Sequence, residues 1–258
     1  MKFDANLRWL FTELPFEQRF EAAASAGFAA VEYPSPYEYE AARLRELLQA
    51  AGVEQVLINT PMGAPDSPTR SGIACFPDRV EEFRDGVLLA LEYAVALGSE
   101  FVHVVGGIRP EGVDRDRAFA QYVVNIGWAA EQARGTGVRL LLEVQNKMDA
   151  PRFILDTEQQ AAAVVEAVGS PDVGVLFDLY HVQMDGANVV ETAAAVWSSV
   201  FHIQIADPPA RSEPGSGEID WAAAFGFLRE SGYDGWIGCE YRPLADTVSG
   251  LSWMSRLI

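Results

Sequence analysis

Eight short apolar runs alternate with helical patterns from one end of the chain to the other, and this alternation limits the fold more than any other feature. The runs are Phe3–Asn6, Ala29–Tyr33, Val53–Asn59, Phe101–Val105, Arg139–Val144, Val173–Leu179, Val200–Ala206 and Trp236–Tyr241. The segments between them carry apolar residues at helical spacing. Phe16, Phe20 and Ala23 share one face of Pro15–Ala26, for example, and Gly27 stops that helix. Further helices are expected over Glu38–Ala51, Asp78–Leu97, Arg115–Arg134, Thr157–Val168, Val189–Trp197 and Trp221–Ser231, with the tail from Pro243 closing against the outside. Strict βα alternation requires parallel strands and right-handed crossovers. Eight such units close most naturally into a (β/α)8 TIM barrel. An open doubly wound sheet is the competing arrangement, but no GxGxxG follows the first strand. Nothing in the composition marks a linker, so residues 1–258 are expected to form a single barrel domain.

In such a barrel the C-terminal strand ends converge on one mouth. Strands five to eight end in Glu143, Asp178, Gln204 and Glu240, each an oxygen-bearing side chain closing an apolar run. A polar strand end meeting solvent accounts for any one of them, but poorly for four in succession. Three carboxylates brought together repel one another unless a cation lies between them. Carboxylates with an amide are hard donors, better suited to Mg²⁺ or Mn²⁺ than to Zn²⁺. The seventh strand runs into the polar loop ADPPARSEPGSGEIDW, too charged for a core and too rich in Pro and Gly for a helix. The loop Thr60–Pro77 is also long for a compact domain, which points to function.

With 19 Lys and Arg against 37 Asp and Glu, the formal charge is −18. Such a surface repels phosphate backbones, so nucleic acid is not an expected partner. A small anionic substrate remains compatible if a cation or a few arginines sit inside the pocket. Cys75 and Cys239 are far apart and form no metal or redox motif. The start, MKFDANLRWLF, lacks the apolar run of a signal peptide, and no stretch approaches a membrane span. A cytoplasmic protein without a membrane partner is expected, and a homo-oligomer is left open.

Six stretches carry a resemblance to a known family: PFEQRFEAAASAGFAAVEY, RSGIACFPDRVEEFR, LLEVQNKMDAPRFIL, FDLYHVQMDG, HIQIADPPARSEPGSGEIDW and GYDGWIGCEY. Together they resemble the hydroxypyruvate isomerase family of xylose-isomerase-like barrels, over essentially the whole chain. The resemblance implies a single barrel. It also implies Glu143 and Glu240 as an acid/base pair, with Asp178 and Gln204 completing a divalent-metal site. The chain departs from the family pattern at Val144, Arg152–Phe153, Ser212 and Ser71, all close to the mouth. The implied reaction interconverts hydroxypyruvate and tartronate semialdehyde. A proton leaves one carbon and returns to its neighbour through an enediolate, whose charge a metal stabilises. A 2-oxo-tetronate isomerase and a ketose 3-epimerase are the alternatives on the same scaffold. An apurinic endonuclease-like barrel would need a His-rich metal site and a basic face, and this chain has three histidines and a charge of −18.

Four further residues are candidate substrate contacts. His181, three residues after Asp178 in DLYH, is placed to hydrogen-bond substrate. Arg70 and Arg211, in loops expected over the mouth, could clamp a substrate carboxylate with a forked donor. Lys147, after strand five, is a third cationic candidate. His202 shares a strand face with Gln204, either as a satisfied interior histidine or as a support for the site.

Overall fold

The computed structural model describes residues 1–257 and forms a parallel β-barrel wrapped by helices. The strands are β1 (Lys2–Asn6), β2 (Ala30–Glu32), β3 (Glu54–Gln55), β4 (Leu57–Asn59), β5 (Phe101–His103), β6 (Arg139–Glu143), β7 (Val173–Asp178), β8 (Val200–Ile205) and β9 (Trp236–Cys239). Their order around the sheet is β3-β2-β1-β9-β8-β7-β6-β5-β4. The two edge strands are halves of the expected Val53–Asn59 run, interrupted at Val56. That residue's N–H donates to Val31 and its carbonyl accepts from Phe101, each at 2.9 Å, so the ring is closed through it. Nine strand segments therefore make an eight-unit (β/α)8 barrel, as the alternation predicts.

The main helices are α1 (Arg19–Ser25), α2 (Ala41–Ala51), α3 (Val80–Leu97), α4 (Arg115–Ala133), α5 (Glu158–Val168), α6 (Leu179–Met184), α7 (Val189–Val196) and α8 (Trp221–Glu230). Two short ones, α9 (Thr247–Gly250) and α10 (Met254–Leu257), follow the last strand. Most sequence boundaries hold to within a few residues. The sixth unit differs: β7 ends at Asp178, whose carboxylate accepts the Tyr180 N–H at 2.9 Å and starts α6 one residue later. The tail is also more deeply engaged than a closing strap. Trp253 is fully buried, stacks on Phe225 and donates from Nε1 to the Tyr241 hydroxyl. No helix among the described residues is long and apolar enough to cross a membrane.

Side chains alternate along a strand, so residues two apart share the barrel interior. The lower interior is apolar: Ala30, Leu57, Phe101, Leu141, Leu176 and Trp236 pack together. Two residues further along the same strands, the apolar set gives way to Glu32, Asn59, His103, Glu143, Asp178 and Gly238, while β1 and β8 contribute Asn6 and Gln204. A dry floor thus carries a polar layer at the C-terminal end.

The loop after β8 is built around Asp207, which is 1% exposed. Its Oδ2 accepts from the N–H groups of Gly215 (2.8 Å) and Gly217 (2.9 Å) and from Trp221 Nε1 (2.8 Å), and its Oδ1 from Ile219 N–H (3.1 Å). A Cβ on Gly217 would lie 1.9 Å from the Pro208 carbonyl, so only glycine lets the loop fold back this tightly. The motif's Pro, Gly and Asp residues therefore have a structural duty: they fix the loop that carries Arg211.

Two stability predictions follow from buried carboxylates. Asp207→Ala removes an acceptor shared by four donors and should lower the unfolding free energy by about 2–4 kcal/mol. Urea denaturation measures this, and a wild-type value would show that the loop does not depend on Asp207. Glu158, buried at the start of α5, has an Oε2 without a hydrogen-bond partner. Burial, and then the nearby Asp178, push its carboxyl well above the ordinary range. The folded protein keeps a proton that the unfolded chain releases above about pH 4.5, so this group lowers stability as pH rises. Glu158→Gln should raise the melting temperature at pH 8 and leave it nearly unchanged at pH 4. An equal change at both pH values would contradict the buried-proton account.

Candidate active site

The polar layer opens into a cavity of about 540 Å³ at the C-terminal face of the barrel. Glu143, Gln204, Glu240, His181, Arg211 and Arg70 all line it, with His103, Trp9, Asn6 and Asn59. Met62, Gly63 and Ser71 place the long Thr60–Pro77 loop over one side, as its length suggested. A hollow of about 490 Å³ at the opposite end, between Arg45, Glu54 and Trp236, holds no comparable cluster of titratable groups.

Arg211 is the electrostatic centre of the mouth. It is not a solvated loop arginine. Its Nη2 donates to Glu240 Oε2 at 2.6 Å and to Asp178 Oδ2 at 3.2 Å, while Nε donates to the Glu240 carbonyl at 3.3 Å. The guanidinium is flanked by the rings of Tyr180 at 4.6 Å and Trp9 at 5.2 Å. Its backbone is left-handed, φ 53°, within the turn that Asp207 anchors. Burial opposes its charge, but Glu240, Asp178 and Glu143 outweigh burial and raise its pKa. Glu240 is also held from the other side, its Oε1 accepting from Trp9 Nε1 at 3.2 Å.

Glu143 and Asp178 are buried carboxylates with few donors of their own. Burial pushes Glu143 well above the usual range, Glu240 and Asp178 add to this, and Arg211 and the Gln145 amide oppose it. Burial raises Asp178 to about 7, against Arg211 and the Tyr180 N–H and with help from Glu240. Both groups are thus short of positive charge. Their oxygens and an imidazole nitrogen of His181 lie within 4.8 Å of one another, a group that could hold a metal ion.

The hydrogen bonds of His181 decide its part. Asn146 donates its backbone N–H to Nδ1 at 3.1 Å, and its side-chain nitrogen lies 2.7 Å from the same atom. Nδ1 is therefore the acceptor, and the proton of the neutral ring sits on Nε2. Burial first, then Arg211 and His103, hold the ring neutral, well below the ordinary histidine range. Nε2 lies 3.6 Å from both Glu143 Oε1 and Asp178 Oδ2. It is a donor facing the carboxylates and is ill suited to be a metal ligand in this state.

The remaining candidates divide. Arg70 is exposed at the rim. Lys147 does not reach the mouth: its Nζ pairs with Asp185 Oδ2 at 3.6 Å and it lines a separate cavity behind His181. The turn after β6 carries Lys147 outward, and the carboxylate it meets lies after α6. Reading the fifth to eighth strand ends alone missed Glu32, Asn6, Asn59 and His103. The signal was present in the first four units, whose strands β1, β2, β4 and β5 end in Asn6, Glu32, Asn59 and His103.

A profile of the xylose isomerase-like TIM barrel family matches residues 20–257. Hydroxypyruvate isomerase of Escherichia coli (strain K12) is 39% identical, over 98% of this chain and 98% of its own. 2-Oxo-tetronate isomerase of Cupriavidus necator is 41% identical, over 98% of this chain and 97% of its own. Among solved structures, a Brucella melitensis protein described as an AP endonuclease of family 2 has a TM-score of 0.94 at 37% identity, covering 99% of this chain and 98% of that one. D-Psicose 3-epimerase from Clostridium cellulolyticum H10 has a TM-score of 0.76 at 20% identity, covering 98% and 89%. At that identity it speaks for the fold alone. The full-length match to both isomerases, joined to the closed barrel and its carboxylate-lined mouth, identifies the chain as an isomerase of the hydroxypyruvate isomerase family, within the xylose isomerase-like TIM barrels.

Proposed function

We propose that the protein interconverts hydroxypyruvate and tartronate semialdehyde, with Glu143 and Glu240 as the acid/base pair. The observation that carries this reading is two glutamates on separate strand ends, facing one cavity and held by different partners. Glu143 is buried with one side-chain donor of its own, from Gln145, so once ionised its carboxylate is a stronger base toward a carbon-bound proton than an exposed one. Glu240 is fixed between Trp9 and Arg211, ready to exchange a proton with the neighbouring carbon. His181 offers its Nε2–H to an oxygen on which charge develops.

The oxygen-rich set of Glu143, Asp178, Gln204 and Glu240 fits a hard divalent cation, Mg²⁺ or Mn²⁺. Glu143 and Asp178 bring oxygens within 4.8 Å of one another, both raised in pKa chiefly by burial, which supports a site made for a cation. A bound cation would supply electrostatic stabilisation of the enediolate oxygens. Among the residues lining the mouth, Arg70 is exposed and best placed to meet a substrate carboxylate, while Arg211 is committed to Asp178 and Glu240. The partner is thus a small keto acid. The protein's charge of −18 favours neither nucleic acid nor an anionic membrane. The cavity of about 540 Å³ admits a three- or a four-carbon acid, and the 41% identity to 2-oxo-tetronate isomerase of Cupriavidus necator makes 2-oxo-tetronate the second substrate to test.

Glu143→Gln and Glu240→Gln should each lower turnover by about 10²- to 10⁴-fold with the fold retained by circular dichroism. Wild-type turnover in either variant would remove that residue from the mechanism. Chelation should abolish activity, and Mg²⁺ or Mn²⁺ should restore it better than Zn²⁺; full activity with no metal by elemental analysis would overturn the cation reading. Arg70→Ala should reduce kcat/KM for hydroxypyruvate far more than for a neutral ketose. Arg211→Ala should reduce both, because it also releases Glu240. Equal losses on charged and neutral substrates in Arg70→Ala would move the neutral-ketose epimerase reading ahead.

A further inference from the structure

Two amides at the cavity wall, Asn6 and Gln204, are tied to one carboxylate that does not itself line the cavity. Glu32, at the end of β2, is fully buried. Its Oε1 accepts from Gln204 Nε2 at 2.7 Å and from Asn6 Nδ2 at 2.8 Å. Its Oε2 lies 3.0 Å from His202 Nε2. The carboxylate reaches across the barrel interior to β9, where Gly238 makes room for it: a Cβ there would lie 2.6 Å from Oε1. Gly238 is also the register partner of Gln204. Beneath them, Asp4 is fully buried and both its oxygens lack hydrogen-bond partners. Two amide nitrogens and an imidazole nitrogen thus surround the Glu32 carboxylate, and among the described residues no other acceptor competes for them.

A glutamine amide has one donor end and one acceptor end. The reverse orientation of Gln204 would set its oxygen 2.7 Å from a carboxylate oxygen with no proton between them. Its nitrogen must therefore face Glu32, and its oxygen is the end left for the cavity. We propose that Glu32 is a positioning residue: it turns the Gln204 oxygen toward the cation site and polarises it, as partners of metal-binding side chains do elsewhere. This rests on the reading above, in which Gln204 gives an oxygen to a divalent cation. It assigns work to His202 and Gly238 too. His202 holds the second Glu32 oxygen, and Gly238 clears the path.

The test swaps the two side chains and reads Mn²⁺ affinity by titration calorimetry on the full chain, with thermal unfolding alongside. Gln204→Glu adds a negative charge. If residue 204 could turn freely, Mn²⁺ would bind more tightly. With Glu32 fixed opposite, one new oxygen faces another, and Mn²⁺ binding should weaken by about 10- to 100-fold while the melting temperature falls. Adding Glu32→Gln to that variant restores an N–H···O pair with donor and acceptor exchanged, and should recover at least about tenfold of the lost affinity. Gly238→Ala, which crowds Glu32 while leaving Gln204 in place, should also weaken Mn²⁺ binding, and it serves if Gln204→Glu does not fold. Tighter or unchanged binding in Gln204→Glu, or no recovery in the folded double variant, overturns the role of Glu32. Should Gln204→Glu fail to fold, wild-type affinity in Gly238→Ala does so. A wild-type protein that binds no Mn²⁺ overturns the cation site itself, and the Glu32 proposal with it.

Discussion

A closed parallel barrel sends every second side chain of every strand into one narrow interior, and the rest of this molecule is arranged around that constraint. Where the inward residues are apolar they fill the space, as Phe101, Leu141 and Leu176 do near the N-terminal end. Where they are polar they cannot avoid one another. The C-terminal layer gathers Glu32, Glu143 and Asp178 from the strands, and Glu240 joins them just past β9. Burying carboxylates without partners costs several kcal/mol each. Each is accommodated differently: Glu32 by two amides and an imidazole, Glu240 by Trp9 and Arg211, and Asp178 by a backbone N–H and the same arginine.

Glu143 is the least satisfied of the four. Its recorded hydrogen bond is from Gln145 at 3.2 Å, and the nitrogens of His103 and His181 stand off at 3.6 Å. His103 is pushed down to about 3 by burial, so it brings no charge to Glu143 at neutral pH. Glu32 and Glu143 thus mark the two extremes of one polar layer, the first fully partnered and the second sparsely so.

The fold was legible because the period of the apolar pattern switches between strand and helix eight times, and barrel closure is the arrangement that this repetition serves. The split at Val56 and the short helix α6 were not legible, since both depend on single backbone hydrogen bonds made across the barrel or by the Asp178 carboxylate. Three residues that line the cavity, Glu143, Gln204 and Glu240, and Asp178 beside them could be read as polar strand ends alone. The other strand ends were equally readable: Asn6, Glu32, Asn59 and His103 follow the same rule. Arg211 and Lys147 show where such reading stops. Both are cations in polar loops, yet one turns inward between two aromatic rings and the other pairs with Asp185 outside. Loop direction is set by contacts such as those of Asp207, whose donors lie 8 to 14 residues away in the chain and carry no periodic signal.

The acidic surface and the arginines of the mouth then act together. At −18, the protein repels an anion at long range, and salt screens that repulsion within about 10 Å. Any attraction for an anion must therefore be local, and the exposed Arg8 and Arg70 are the cations that the rim of the cavity offers. Inside, Arg211 is already bound to two carboxylates and lends the site fixed positive charge, not a free hand. The two arginines therefore differ in standing: Arg70 is exposed at the rim, whereas Arg211 is part of the wall that fixes Glu240, so a change in the rim loop leaves the carboxylate pairing of the mouth intact.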